Sequence, residues 1–212
     1  NRTLGISLPT ATASDLAGNL APGATSGTFI VDNTAPTVSI SAPSAPITAA
    51  GPVSYTVSFA DVNFNASSLT SGNVTLNKTG TADGTVTVTG SGPSYTVTIS
   101  DVTGNGTLGI SLPAGLATDL AGNAVNAATS GLFTVDNTVP TVSIGSPSST
   151  IAANGPVSFT VTYADDSFNA ITLTAADVLL NRTGTANGLV SVSGSGNDRT
   201  VTISNLTGDG TL

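Results

Sequence analysis

The sequence lacks His, Cys, Met and Trp, and it has no Glu, so its twelve acidic residues are all Asp. Each absence removes a class of chemistry. Without His there is no Ser–His–Asp triad and no ordinary zinc site; without Cys there is no thiolate nucleophile, iron–sulfur cluster or disulfide framework. Paired carboxylates alone can serve a glycosidase or an aspartic protease. An enzyme assembled only from Asp, Ser and Thr would be unusual, and the expectation is a non-catalytic protein. Charge is scarce as well: Lys and Arg total four in 212 residues, with a net charge of −8. No basic stripe exists for nucleic acid to bind, and the negative balance opposes anionic lipid. No run of about 18 uninterrupted apolar residues occurs, so no membrane insertion is expected of this segment.

What the chain does have is an ungapped repeat, and looking for one first decides this case. NRTLGISLP at 1–9 returns as NGTLGISLP at 105–113, and DLAGN at 15–19 returns at 119–123. VDNTAPTVSI at 31–40 returns as VDNTVPTVSI, and NKTGTADG at 77–84 as NRTGTANG. The offset is always 104 residues, and aligning 1–108 on 105–212 gives 68 identities in 108 positions. Helical solenoid repeats and propeller blades are about 33–50 residues long, whereas a complete immunoglobulin-like sandwich takes about 100.

The local pattern agrees with that size. Val53, Tyr55, Val57 and Phe59 alternate with Ser54, Thr56 and Ser58, one face buried and one wet. The same period of two runs through 74–76, 86–88, 95–99, 108–112 and 133–135, with turn residues at 82–84, 90–93 and 104–106 between them. No stretch keeps the helical spacing of apolar residues. The expected fold is therefore all-β, a tandem series of immunoglobulin-like β-sandwich repeats with a period of 104 residues.

Pro36 and Pro140 follow Asp-Asn-Thr where one strand run ends and the next has not begun, a place that suits a residue with no backbone donor. Boundaries near 34 and 138 make 35–138 a complete repeat. On this reading 1–34 carries the C-terminal strands of a preceding repeat, and 139–212 the N-terminal strands of a following one. The chain reads as a window on a longer array. The alternative is a fibre subunit in which 139–212 of one chain and 1–34 of the next complete a sandwich by strand exchange.

The order F-x-VDNT-x-P-TVSI, a strand ending in an acidic residue, an Asn-Phe-Asn-Ala loop, then DLAGN resembles the bacterial immunoglobulin-like repeats of giant surface adhesins and biofilm-associated proteins. The resemblance covers the whole chain. It implies an extracellular, cell-surface stalk of tandem domains, often binding calcium at the junctions, with neighbouring identical repeats as its partners. In those repeats the acidic strand end is followed by Pro-Val; here Asp61 precedes Val62-Asn63, and Asp165 precedes Asp166-Ser167.

Sandwich geometry points to a cation independently of the resemblance. The chain enters an immunoglobulin-like domain at the end that also carries the B–C and F–G loops. Asp32 in the linker should then stand beside Asp61 after the strand 53–60 and Asp119 in DLAGN. Gathered carboxylates repel unless a cation holds them, and calcium takes 6–8 oxygen ligands. Asn63 and Asn123 offer further oxygens, while magnesium suits such a site less. The second junction repeats the set with Asp136, Asp165 and Asp166. Each Asp also has an ordinary reading as a turn or cap residue, the one expected for Asp83, Asp101, Asp198 and Asp209. Two functions remain open: a stalk or fibre stiffened by calcium at its junctions, and an adhesive module binding carbohydrate or protein, for which Phe64 and Phe168 are the aromatics to inspect.

Overall fold

Where Val, Ile, Tyr and Phe alternate with Ser and Thr, strands form, because the pleat sends successive side chains to opposite faces. The computed structural model describes residues 2–212. These divide into two compact units, residues 2–137 and residues 138–212.

The first unit opens with β1 (Arg2–Leu4), β2 (Ser7–Leu8), β3 (Ala24–Thr25) and β4 (Phe29–Val31), which pair only as β1 with β4 and β2 with β3. A sandwich follows. Its strands are β5 (Thr37–Ile40), β6 (Ile47–Thr48), β7 (Val53–Ala60), β8 (Phe64–Ser67), β9 (Thr75–Lys78), β10 (Asp83–Ser91) and β11 (Ser94–Thr103). The remainder are β12 (Gly106–Leu112), β13 (Ala117–Asp119), β14 (Ala128–Thr129) and β15 (Phe133–Val135).

One sheet runs β10-β11-β7-β5; the other runs β14-β12-β15-β6, with β9 also on β12. This is the two-sheet division of an immunoglobulin-like domain, and β6 lies parallel to β15. Tyr55 and Val57 of β7, with Val97 and Ile99 of β11, face Leu108, Ile110, Phe133 and Val135 of the second sheet, all buried. The Tyr55 hydroxyl donates to the Gly131 carbonyl at 2.9 Å, and burial raises its pKa.

The Thr-Gly-Thr segment at 79–81 and the Gly-Asn-Gly-Thr segment at 104–107 interlock at a corner of this sandwich. Thr79 and Thr81 N–H groups donate to the Thr107 and Asn105 carbonyls at 3.0 and 2.8 Å. Thr107 and Asn105 N–H groups donate back to the Thr79 and Thr81 hydroxyls, both at 2.9 Å.

The second unit holds β16 (Thr141–Ile144), β17 (Val157–Ala164), β18 (Asn187–Ser193) and β19 (Asp198–Thr207) in one sheet of order β16-β17-β19-β18. That is the first sheet of the sandwich again, register for register: Thr141 faces Ala164 as Thr37 faces Ala60. Residues 151–152, 168–171 and 179–182, the counterparts of β6, β8 and β9, are not strands. In the complete sandwich those strands pair with β15, β13 and β12, of which 138–212 holds counterparts only to the first three residues of β12, at 210–212.

Among the described residues, helix is confined to two single 3-10 turns, Ser71–Asn73 and Ala175–Asp177. Each is closed by a side chain reaching back: Asn73 Oδ1 accepts from the Thr70 N–H at 3.0 Å, and Asp177 Oδ2 from the Thr174 N–H at 2.8 Å.

Candidate metal centre

Three segments distant in sequence meet at one end of the complete sandwich. Asp32 follows β4, Asp61 follows β7 and Asp119 ends β13. One carboxylate oxygen from each lies within 4.8 Å of the others. Asp119 is 1% exposed and Asp32 8%, while Asp61 is half-buried. Antiparallel pairing of β8 with β13 brings Asp119 opposite Phe64, and the Leu120 N–H donates to the Asn63 carbonyl at 2.8 Å. This pairing fastens the DLAGN loop to the loop after Asp61.

Each carboxylate is oriented by amide donors. Asp32 Oδ1 accepts from the Thr34 N–H at 3.0 Å, and Asp61 Oδ1 from the Asn63 N–H at 2.7 Å. The Asn63 side-chain amide donates to Asp32 Oδ2 at 2.7 Å. Asp119 Oδ1 accepts from the Ala121 and Asn123 N–H groups at 2.9 and 2.8 Å. The Asn123 side-chain amide reaches both Asp119 Oδ2 at 2.8 Å and the Asp32 carbonyl at 3.0 Å. Asn63 and Asn123 thus cross-link the linker to both loops.

The DLAGN loop folds this way by itself. Asp15 accepts from Ala17, Asn19 and the Asn19 side chain at 2.9, 2.9 and 2.8 Å, although it is fully exposed. Those bonds, the Asn19 side-chain amide foremost, lower the Asp15 pKa below its ordinary 3.8. A depressed folded-state pKa gives stability that is complete above the ordinary value and lost as pH falls through the lowered one. The loop 15–19 is therefore expected to stay closed at pH 5 and to open only below pH 3.8. The Asn19 amide shift followed by NMR titration checks this; a midpoint at or above the ordinary value would contradict it.

What differs at 119 is burial beside two further carboxylates. At an effective dielectric near 20, a pair of unit charges 4.8 Å apart repels by about 3 kcal/mol. No Lys or Arg occurs in 31–35, 61–67 or 113–125. Oxygens bound to calcium at 2.3–2.6 Å lie up to about 5 Å apart across the ion, against about 4 Å for magnesium. A carboxylate set within 4.8 Å fits one calcium shell. Asn63 and Asn123 add neutral side-chain oxygens if their amides turn.

Of the second set, Asp136 is half-buried in the first unit, where its N–H donates to the Thr48 carbonyl at 3.0 Å. Asp165 and Asp166 belong to the second unit. Asp165 Oδ1 accepts from the Ser167 N–H at 2.8 Å, and its Oδ2 is buried without a hydrogen-bond partner. Asp166 is exposed.

Of the Asp residues expected to be local, Asp83 and Asp101 have neighbours in sequence as partners, whereas Asp198 Oδ1 accepts from the Thr162 hydroxyl of the adjacent strand at 2.7 Å. Asp83 takes the Gly84 N–H and an ion pair with Lys78 at 3.2 Å, and both lower its pKa. Asp101 sits at φ +50° beside the irregularity of β10 against β11, as Asn205 does at φ +52° in the second unit. Phe64 packs against the core and Phe168 lies 6.3 Å from the Tyr163 ring, so neither is a free aromatic platform. The pairing of β8 with β13, which sets the whole site, has no signal in the sequence because both strands are too short to show a period.

No protein-family model and no curated protein matches the chain. A solved structure described as "FdeC, a Novel Broadly Conserved Escherichia coli Adhesin Eliciting Protection against Urinary Tract Infections" is similar at 20% identity and a TM-score of 0.42. The match covers 93% of this chain and 67% of that one.

Proposed function

We propose that the chain is a structural segment of an extracellular, adhesin-like surface protein, in which calcium binds between the linker and the domain it enters. The observation that carries this reading is the approach of Asp32, Asp61 and Asp119 to within 4.8 Å, with Asp119 buried. Asp32 belongs to the segment leading into the sandwich, and Asp61 and Asp119 belong to the sandwich. An ion held by all three would tie the entering chain to the domain. Repeats tied in this way extend linearly with their number, whereas flexible linkers reach only as its square root.

Bound calcium would supply positive charge where the three carboxylates crowd. The residues holding it would be Asp32, Asp61 and Asp119, with Asn63 and Asn123 alongside. Extracellular calcium modules bind with dissociation constants of about 0.1–1 mM. At 1 mM calcium, mass action then adds about 0.4–1.4 kcal/mol, a rise in Tm of roughly 2–10 °C for a domain near 100 residues. Scanning calorimetry in 1 mM calcium and in EDTA measures the shift, and Asp119→Asn is expected to abolish most of it. Equal melting in both buffers would leave the cluster as a hydrogen-bonded loop clamp and end the metal reading.

A further inference from the structure

Asn-Gly pairs occur at 105–106, 154–155 and 187–188. Such a pair can react with itself, because glycine leaves the following main-chain nitrogen unshielded by a side chain. At 187 the fold holds the two reacting groups together. The register of β18 against β19 shifts between Asn187 and Leu189, so Gly188 has no residue opposite it in the ladder. Its N–H donates instead to Asn187 Oδ1 at 2.9 Å. The nitrogen therefore stands beside the amide carbon of that side chain, the approach a positioned intramolecular reaction needs. Asn187 is exposed, so water reaches it. The glycine is dictated from below: a Cβ at Gly188 would lie 2.6 Å from Ile203 Cγ2, as one at Gly84 would lie 2.7 Å from Ile99 Cγ2.

The complete domain carries an acid at the same place. Asp83 occupies the matching irregularity of β10 against β11. Its Oδ1 accepts from the Gly84 N–H at 2.8 Å, and its Oδ2 pairs with Lys78 at 3.2 Å. Arg182 stands at the Lys78 position of the repeat. The Asn187 Nδ2, where Asp83 has Oδ2, only donates and cannot receive a cation, whereas an oxygen there could. Asn105 is held differently. Its Oδ1 accepts from the Asn137 N–H at 2.6 Å, and Gly106 is paired opposite Val135.

We propose that Asn187 is a self-modification site, converting from amide to acid without an enzyme. The Gly188 nitrogen gives its proton to hydroxide and bonds to the Asn187 amide carbon. The carbon–nitrogen bond of the side-chain amide breaks, and ammonia leaves with a proton from water, which restores the hydroxide. One water then opens the cyclic imide. Opening at the side-chain carbonyl leaves aspartate, and opening at the main-chain carbonyl leaves isoaspartate. One water is taken up, one ammonia is lost, and the chain gains one negative charge. The bulge then carries the acid that the complete domain has at 83, with Arg182 placed to receive it. This rests on the bulge geometry, independently of whether the acidic cluster holds calcium.

The test is peptide mapping by mass spectrometry of the folded 212-residue chain aged in mildly alkaline buffer. Asn187 is expected to convert first. Asn105 should be slower by at least about tenfold, because its side chain must first give up a hydrogen bond. In urea that unfolds the chain, all three pairs share the same local chemistry and the difference is expected to vanish. Isoelectric focusing of the intact protein should show an early gain of one negative charge. Asn187→Gln, whose longer side chain cannot close the same ring, is expected to remove that early gain. Asn187→Asp is expected to melt no lower than the unmodified chain. Asn187 keeping its amide while Asn105 or Asn154 converts, the same order of conversion in urea, or a fall in Tm with Asn187→Asp overturns the proposal.

Discussion

Replacing Phe133 with Ala is expected to destabilise the first unit by about 3–5 kcal/mol, a fall in Tm on the order of 15 °C or more. Phe133 is 1% exposed and pairs with Leu108, itself fully buried, on the inner face of the second sheet. Its removal takes an aromatic ring out of a closed core between two sheets that are fixed by their ladders, so the void cannot collapse. The repeat supplies the control. Phe29 stands at the same place in the motif, after Ser-Gly-x, but is 61% exposed. Phe29→Ala is expected to change monomer stability by no more than about 0.5 kcal/mol. Urea unfolding of both variants in dilute solution measures the pair. Similar losses would mean that Phe29 is buried in solution as Phe133 is.

That contrast marks the boundary of what a sequence of this kind can convey. The strands were legible because period-two alternation is a local property, and β7 shows it in full: Val53, Tyr55, Val57 and Phe59 are all buried and the residues between them are not. The meeting of Asp32, Asp61 and Asp119 was legible for another reason: the sandwich topology fixes which loops share an end, so strand order alone brings those residues together. Burial was not legible. DLAGN occurs twice with the same internal hydrogen bonds, yet Asp15 is exposed and Asp119 is almost wholly enclosed. The difference lies in β8 and the linker packed around the second copy, which no window of five residues encodes. The parallel pairing of β6 with β15 escaped for the same reason, since two residues of Ile-Thr carry no period.

NKTGTADG, returning as NRTGTANG, was visible as a repeat without an explanation, and the corner it builds with residues 104–107 predicts the sharpest single-residue effect. Gly104→Ala is expected to cost at least about 4 kcal/mol or to prevent the first unit from folding, the range reserved for mutations with a specific structural cause. Gly104 has φ +75°, and a Cβ there would stand 2.0 Å from the Thr81 carbonyl oxygen and 2.5 Å from its carbon. Thr81 cannot retreat cheaply: its N–H donates to the Asn105 carbonyl at 2.8 Å, and its hydroxyl accepts from the Asn105 N–H at 2.9 Å. Moving it would break both bonds of the corner.

Gly92 separates this clash from backbone strain. It has φ +64°, and a Cβ built there meets nothing within 4 Å. Gly92→Ala therefore carries only the left-handed penalty, about 1–2 kcal/mol. Denaturant unfolding of the two variants isolates the steric part as their difference. Equal losses would show that the turn at Thr81 shifts to admit a methyl group. The second unit allows the argument to be repeated within the same chain, because a Cβ at Gly208 would lie 2.1 Å from the Thr185 carbonyl oxygen. Gly208→Ala is expected to unfold residues 138–212 while leaving the first unit's transition in place. The two glycine variants together then report whether each unit keeps its own corner closed.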